Sequence, residues 1–455
     1  MDRDEILSAR LRSCADSLPE LLSATFAEMK PADRILGSFL RMHKNFGGSD
    51  RRLLTESFFS ILRWWGFVSK IFPETAERIR NPQVPDGEDI KPETFNFYRI
   101  ILFSLAMDGI TRGETADVLC EKAAFPAEKL PETGKIKDFA ARAGAIIEKF
   151  KRIHPACALA NMDLIPDWTG SEISSGERLD ELIKWFQKRP PMWLRAQTED
   201  IPHLLKELEL SGLEVSVSDK IPNALRIATP KVNLYSLESF KKGHFEVQDI
   251  ASQVIGLVCA PVPGQRWWDA CAGAGGKSLE LSSLMKNKGS VVSTDIREYK
   301  LEDLKIRARR AGFSNIRCSS WDGKGIRTKN HETFDGVLVD APCSCSGTWR
   351  RNPDARWTSS CGEIAELAAL QGKLLSNASK ALKKDGILVY ATCSIFFREN
   401  EHVMNDFLAN NKDFALSPFL NPLTGEECDG TIRVRPWDAD CDAMFAAKFR
   451  RIKAS

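Results

Sequence analysis

From about Phe245 onward the apolar residues gather in short β-branched or aliphatic runs, each closed by a turn residue. Arg266 to Asp269, Ser290 to Thr294, Ile316 to Ser320, Phe334 to Val339 and Gly386 to Ala391 have this form, and their length and composition predict strands. Between them the apolar spacing changes to that of helices. Leu279 to Met285 is one helical stretch. In another, Leu301, Leu304, Ala308 and Ala311 make one stripe while Lys305, Arg307, Arg309 and Arg310 face elsewhere, and Gly312 stands where a C-terminal cap belongs. This alternation predicts an α/β fold of Rossmann-like type, a parallel sheet covered on both faces; Ala443 to Arg450 alternates weakly and would be the last strand, antiparallel as is common in this fold.

Upstream the rhythm differs. Residues 1–150 carry long helical periodicities with few strand signals, for example Ile61, Trp64, Trp65 and Val68 on one face, and predict an all-helical domain. Residues 151–188 read as a linker, with Pro155, Pro166, Asp167, Gly170 and Gly176, followed by a helix from Glu177 to Gln187. Residues 189–244 predict a small α+β unit with a helix from Ile201 to Leu208 and strands from Leu213 to Val217 and Ala224 to Ala228. Residues 245–455 make the α/β domain.

In doubly wound sheets, ligands bind beyond the carboxyl ends of the strands. Asp269, Asp295, Asp322, Asp340 and Cys393 fall at those ends and are expected to share one crevice. The first strand runs into Asp269-Ala270-Cys271-Ala272-Gly273-Ala274-Gly275-Gly276-Lys277-Ser278, a loop whose glycines let backbone amides approach a ligand closely. The second strand ends at Asp295, about 20 residues on, the spacing at which a carboxylate takes ribose hydroxyls. Loop and acid together predict an adenosine ligand. Two later strands close on turns that carry thiols, Asp340-Ala341-Pro342-Cys343-Ser344 and Ala391-Thr392-Cys393-Ser394. Neighbouring thiols beside a nucleotide-type loop are equipped to attack a base.

Four segments in order, Val247 to Gln253 (VQDIASQ), the loop DACAGAGGKS, Asp340 to Trp357 (DAPCSCSGTWRRNPDARW) and Ala391 to Glu401 (ATCSIFFRENE), resemble the Sun/RsmB (NOL/NOP/Sun) family of RNA cytosine-5 methyltransferases, in its bacterial ribosomal-RNA branch. The resemblance covers roughly Pro190 to Arg451 and, more loosely, the N-terminal third. It implies a class I methyltransferase domain at 245–455, an RRM-like subdomain at 189–244 and a NusB-like RNA-binding domain at 1–150. It also implies S-adenosylmethionine over Cys271, Ala272, Gly273, Ala274, Gly275, Gly276 and Lys277, with Asp295 on the ribose, Asp322 near the adenine and Asp340 between cofactor and base. Cys393 is then the nucleophile toward carbon 6 of a cytosine and Cys343 assists release. Residues alone leave that order open, because a proline-cysteine turn supplies the nucleophile in DNA cytosine methyltransferases. Lys277 is the candidate source of positive potential for the thiolate, and Asp340 hydrogen-bonds the base at nitrogen 3. The chain departs from the family at Gly273-Ala274, where alanine-proline is usual, and at Cys345, where glycine is usual; neither change removes a charge or a thiol.

The net charge of +2 over 455 residues is no basic coat, so RNA binding must rest on local patches. Arg51-Arg52, Lys305 to Arg310, and Arg350-Arg351 with Arg356 are candidates, Trp349 adding a stacking surface. Ribosomal RNA is favoured over transfer RNA as partner. Twelve cysteines without paired CxxC spacing predict no metal. Cys120, Cys157, Cys259, Cys318, Cys361, Cys428 and Cys441 read as core filler, and Cys345 as incidental. The charged start and the lack of a membrane-length apolar run predict a cytoplasmic, soluble monomer. A nicotinamide-dependent dehydrogenase would share the loop and acid but leaves the paired thiols unexplained. The same residues are compatible with an inactive RNA-binding or ribosome-assembly protein on this fold, and with a transfer-RNA cytosine-5 methyltransferase.

Overall fold

A computed structural model describes residues 3–81, 94–125, 130, 136–148, 158–174, 176–228, 232–326 and 331–452. The start of the expected linker, with Pro155 and Cys157, lies outside the described residues. The chain divides into two compact units, residues 1–171, 176–188 and 349–359 in one, and 172–175, 189–348 and 360–455 in the other.

The first unit is helical. Arg3–Glu28, Gly48–Arg63 and Thr94–Met107 are its long members, and Leu11, Leu18, Leu22, Phe58, Phe97 and Phe103 are buried in its core. Ile61, Trp64, Trp65 and Val68 are all buried as their spacing predicts, although the helix breaks at Trp64 and restarts as Trp65–Ile71. Asp108 holds that break by accepting from Trp64 Nε1 at 2.8 Å, Ser60 Oγ at 2.9 Å and Arg63 Nη1 at 3.2 Å. The segment from Trp349 to Ser359 is part of this unit. Trp349 packs edge-on against Phe186 at 5.4 Å, Arg350 lies over Trp185 at 5.1 Å, and Arg356 Nη1 donates to Leu164 O at 2.7 Å. Trp349, Arg350 and Arg356 are each 0% exposed, so the reading of these three as an RNA-facing patch is corrected. They are core.

The second unit begins with a small antiparallel sheet. Its strands are β1 (Met192–Ala196), β2 (Val215–Val217), β3 (Ala224–Ile227) and β4 (Phe245–Val247), in the order β2-β3-β1-β4. Leu194, Leu225, Ile227 and Phe245 pack with Leu204 and Leu208 of the helix Ile201–Leu210.

The larger sheet is built from β5 (Arg266–Asp269), β6 (Ser290–Asp295), β7 (Ile316–Ser320), β8 (Phe334–Asp340), β9 (Leu382–Thr392) and β10 (Phe414–Leu416). After the short hairpin of β11 (Phe419–Leu420) and β12 (Glu427–Cys428), β13 (Thr431–Val434) and β14 (Met444–Arg451) complete it. The order is β10-β14-β9-β8-β5-β6-β7, with β13 beside β14. β5 to β9 pair in parallel and β14 runs antiparallel to β9, as the alternation and the terminal strand predict. Trp267, Leu338, Val389 and Ala446 enter the core on one face; Trp268, Val337, Val339, Leu388 and Tyr390 enter it on the other. Alternate residues of each strand thus bury both faces, which is why these strands read as continuous apolar runs. The strand order reverses between β5 and β8, the kind of switch point at which doubly wound sheets bind ligands.

Candidate functional site

Four parallel strands deliver their last residues to one edge. Asp269 on β5 is in register with Ser293 on β6 and Leu338 on β8, Asp295 with Ser320, and Asp340 with Ala391 on β9. Because Asp340 and Ala391 are partners, the two thiol turns leave the sheet side by side, tied by Ala341 N donating to Ala391 O at 2.9 Å. The sulfurs of Cys343 and Cys393 stand 3.4 Å apart. Strand register is what brings the two sulfurs together.

A buried carboxylate holds both turns. Glu399 accepts from Ser344 N at 2.9 Å and Gln371 Nε2 at 2.9 Å, and from the hydroxyls of Ser344 and Ser394. Its neighbour Asn400 accepts from Thr392 Oγ1 and donates to Ser394 O at 2.9 Å. Gln371 also donates to Pro342 O at 2.9 Å, and Tyr390 donates its hydroxyl proton to Glu399 O. Glu399, Asn400 and Gln371 carried no role in the sequence reading. The only signal available for the first two was the run Arg398-Glu399-Asn400-Glu401 just after the second thiol turn.

Lys277 sits on the first turn of the helix Gly276–Leu284, and its Nζ donates to Asp340 Oδ2 at 2.8 Å. Burial pulls its pKa down, but the Asp340 carboxylate outweighs burial and holds the ammonium charged. Lys277 also lies close enough to Cys393 for a thiolate there to stabilise it. The thiols perturb one another. Hydrogen bonding with Cys345 and Cys393, then burial, push the Cys343 pKa well up. At Cys393 the bond with Cys343 pulls down while Cys345 and burial push up, leaving it well above an ordinary thiol. Cys345, the exposed member, is pulled down by the bonds with Cys343 and Cys393.

The loop before this helix turns on Gly275, at φ +88°, where a Cβ would meet Leu304 Cγ at 2.4 Å. Gly273, at φ +53°, has only Arg297 Nη2 near its missing side chain, at 4.0 Å, and Gly276 has nothing within 4 Å. Inward contact at Gly275 and open space at Gly273 and Gly276 leave the backbone approachable from the crevice. Glycine in place of the family's alanine suits the positive φ. Cys345, at φ +55°, is in the backbone region that explains the family's glycine there.

Asp295 is already engaged: Oδ1 accepts from Arg297 N and Nε at 2.9 Å, and Oδ2 from Gly273 N at 2.9 Å and Arg297 Nη2 at 3.1 Å. Burial raises its pKa, but the Arg297 bonds outweigh it and hold the carboxyl low. Asp269 is 0% exposed, accepts from Ser278 Oγ at 2.6 Å, and keeps a buried Oδ1 with no partner among the described residues. Burial pushes its pKa to about 7. Cys271 packs against Trp268 and Ala270, and burial pushes its thiol up. Ala272 N donates to Thr294 O at 2.8 Å, and Ala274 O accepts from Arg307 Nη1 at 2.6 Å. Asp322 is exposed and accepts from Lys324 N at 3.0 Å, the turn-forming geometry of an aspartate two residues before its donor. The cationic helix Glu298–Arg310 is partly spoken for, since Arg307 and Arg310 both bind Glu246 and Lys305 binds Glu302 at 2.7 Å. Arg51 and Arg52 are exposed. Among the cysteines read as filler, Cys120, Cys259 and Cys441 are buried while Cys318, Cys361 and Cys428 are half-buried.

The segment that carries the glycine loop, the acid at the next strand end and the sulfur pair is similar to known proteins. A family model for the 16S rRNA methyltransferase RsmB/F matches residues 256–450. The probable ribosomal RNA small subunit methyltransferase B of Bacillus subtilis strain 168 is 31% identical over 308 residues, 65% of this chain and 68% of the relative. The ribosomal RNA small subunit methyltransferase B of Pasteurella multocida strain Pm70 is 27% identical over 441 residues, 89% of this chain and 96% of the relative. The crystal structure of the protein PH0851 is similar at a TM-score of 0.71 and 25% identity, over 96% of this chain and 98% of that one. The glycine loop, both thiol turns and the Glu399 clamp all fall inside the matched segment, and the chain belongs to the RsmB/F family of ribosomal RNA methyltransferases.

Proposed function

We propose that this protein methylates carbon 5 of a cytosine in ribosomal RNA through a covalent adduct on Cys393. The observation that carries the reading is the 3.4 Å pair of Cys343 and Cys393 sulfurs at the sheet edge that also bears Lys277 and Asp340. Carbon 5 of cytosine is a poor nucleophile. The Cys393 thiolate adds to carbon 6, its electron pair forming the S–C bond while the ring's π electrons shift to carbon 5. Asp340 hydrogen-bonds nitrogen 3 and shares a proton with it as negative charge builds on the ring. S-adenosylmethionine, when bound, supplies the electrophilic methyl group. Cys343, once its own proton has passed to solvent, takes the proton from carbon 5; that C–H pair re-forms the ring double bond as the S–C bond breaks and returns the Cys393 thiolate. Lys277 offsets the thiolate charge in a site where water does not screen it.

The loop from Cys271 to Lys277 suits the cofactor because its backbone is open at Gly273 and Gly276, and Asp295 is an acid at the ribose position. The proposal keeps Asp322 near the adenine. The target base must leave its stack, at about a few kcal/mol, so a looped or single-stranded region is the expected substrate. The helical first unit, with Arg51 and Arg52 exposed, is the proposed NusB-like RNA-binding part, and the small sheet of β1 to β4 the RRM-like part. A reducing cytoplasm would keep the thiols available, and no described helix is long and apolar enough to cross a membrane. Action as a monomer belongs to the same proposal.

Single-turnover transfer of labelled methyl to ribosomal RNA tests the assignment. Cys393→Ala abolishes turnover, whereas Cys343→Ala accumulates a protein–RNA adduct that survives denaturation. Turnover by the Cys393 variant, with an adduct missing from the Cys343 variant, would reverse the roles.

A further inference from the structure

A third sulfur stands beside the catalytic pair. Cys343, Cys345 and Cys393 have their Sγ atoms within 4.8 Å of one another, with Cys343 and Cys393 at 3.4 Å. We propose that these three thiols form a binding site for a thiophilic d10 cation of the zinc group, and that its occupation blocks the site chemistry. Three thiolates bonded to one ion at about 2.3 Å lie about 3.8 to 4.0 Å apart, whether the ion is trigonal or tetrahedral. The Cys343–Cys393 separation of 3.4 Å is a little shorter than that spacing, and the third sulfur lies within 4.8 Å of both. Two of the donors are half-buried and held by the Glu399 clamp; Cys345 is exposed and leaves a fourth position open to water. Soft thiolates select zinc-group and cuprous ions over hard cations such as magnesium.

Lys277 acts electrostatically on Cys393 and Arg297 on Cys345, although Lys277 is already paired with Asp340 and Arg297 with Asp295. A divalent ion neutralises two of the three thiolate charges itself, leaving one net negative charge on the complex. On binding, each thiol yields its proton to solvent as an S–metal bond forms from the sulfur lone pair, and no electrons change hands. The sequence expectation of no metal rested on CxxC spacing, whereas this trio joins a C-x-C turn to a strand end across the sheet.

The proposed inhibition rests on Cys393 being the nucleophile; the binding does not. The full-length reduced protein is therefore titrated with Cd2+ without oxygen, reading the ultraviolet thiolate-to-cadmium charge-transfer band and proton release into weak buffer. The wild type is expected to bind one equivalent through this site. Cys345→Gly accepts the positive φ and restores the family's residue, so the fold tolerates it, and it is expected to bind Cd2+ about 100-fold more weakly. Cys345→Ser, with the thiol alone removed, gives the same weakening. Added Zn2+ should inhibit the wild type and spare Cys345→Gly. Equal Cd2+ affinity in wild type and both variants would place the ion on other thiols, of which Cys271, Cys318, Cys361 and Cys428 are half-buried, and overturns the proposal. A Cys345-dependent band in a protein whose Cys393→Ala form still methylates upholds the metal site and refutes the nucleophile instead.

Discussion

Replacing Glu399 with alanine removes the carboxylate on which both thiol turns hang. It is 0% exposed and accepts four hydrogen bonds, two from backbone and amide donors at 2.9 Å and two from serine hydroxyls. The hydroxyls can re-pair, since Ser344 and Ser394 each lie near Ser346 Oγ at 3.1 Å, and Gln371 keeps its bond to Pro342 O. Among the described residues Ser344 N has no such second partner. An orphaned buried amide costs about 1–3 kcal/mol, and losing charge-assisted bonds adds about 1.5–3 kcal/mol each before re-pairing. Against this, burial pushes the Glu399 carboxyl up, so its removal recovers desolvation. The balance is about 3 kcal/mol of lost stability for Glu399→Ala and about half that for the isosteric Glu399→Gln, read from urea unfolding. Loss of the clamp also frees two sulfurs held at 3.4 Å. Misplacement by about 1 Å costs about 100-fold in rate, so kcat should fall by that factor in single-turnover methyl transfer while KM for RNA changes little. Glu399 touches no reacting atom and acts by positioning, so Glu399→Gln should recover most of the rate. A Glu399→Ala protein with wild-type kcat and wild-type unfolding midpoint would refute the clamp.

Three further outcomes follow from the same geometry. Asp269 titrates near 3.8 when unfolded but is pushed to about 7 by burial, so the folded state binds its proton more tightly. Its contribution is fully present below about pH 4 and is lost as pH rises to about 7, a difference of about 4 kcal/mol. Asp269→Asn should flatten the pH dependence of urea midpoints across that window, and parallel wild-type and variant curves would count against it. Arg297 occupies Asp295 acceptor positions that a ribose would need, through a guanidinium 52% exposed and so worth less than about 1 kcal/mol. Arg297→Ala should tighten S-adenosylmethionine by about threefold in calorimetry; weaker binding would mean that Arg297 contacts the cofactor itself. Gly275→Ala places a Cβ 2.4 Å from the buried Leu304 in a left-handed backbone, and should lower stability by about 2–4 kcal/mol with loss of cofactor binding. An unchanged melting temperature would show that the loop has room to shift.

The strand ends were legible because turn residues punctuate them. Asp269 and Asp295, and the Pro342 and Thr392 turns, close runs apolar enough to be recognised. The start of β9 at Leu382 was not, since Lys383-Lys384-Asp385-Gly386 reads as a turn and Asp385 has φ +63°. β1 and β4 are not picked out as strands in the sequence. Trp349, Arg350 and Arg356 look like a nucleic-acid surface in sequence, because nothing local reveals that Trp185, Phe186 and Leu164 enclose them. The roles proposed for Cys393, Cys343, Lys277 and Asp340 came from motif order; the reason the two thiol turns hold their positions lies in Glu399, Asn400 and Gln371, whose partners are brought near only by folding.

The path of the peptide after Thr348 has a consequence for how this protein is made. Residues 349–359 complete the helical unit, yet a ribosome reaches them only after the small sheet and the first four parallel strands have been synthesised. At about 5–20 residues per second, Lys188 emerges about ten to thirty seconds before Ser359. During that interval the N-terminal helices lack the tryptophan and arginines that fill their interior. Vectorial folding, with the first unit finished before the second begins, is closed to this chain, and no cut between the two units in sequence order yields a whole copy of either.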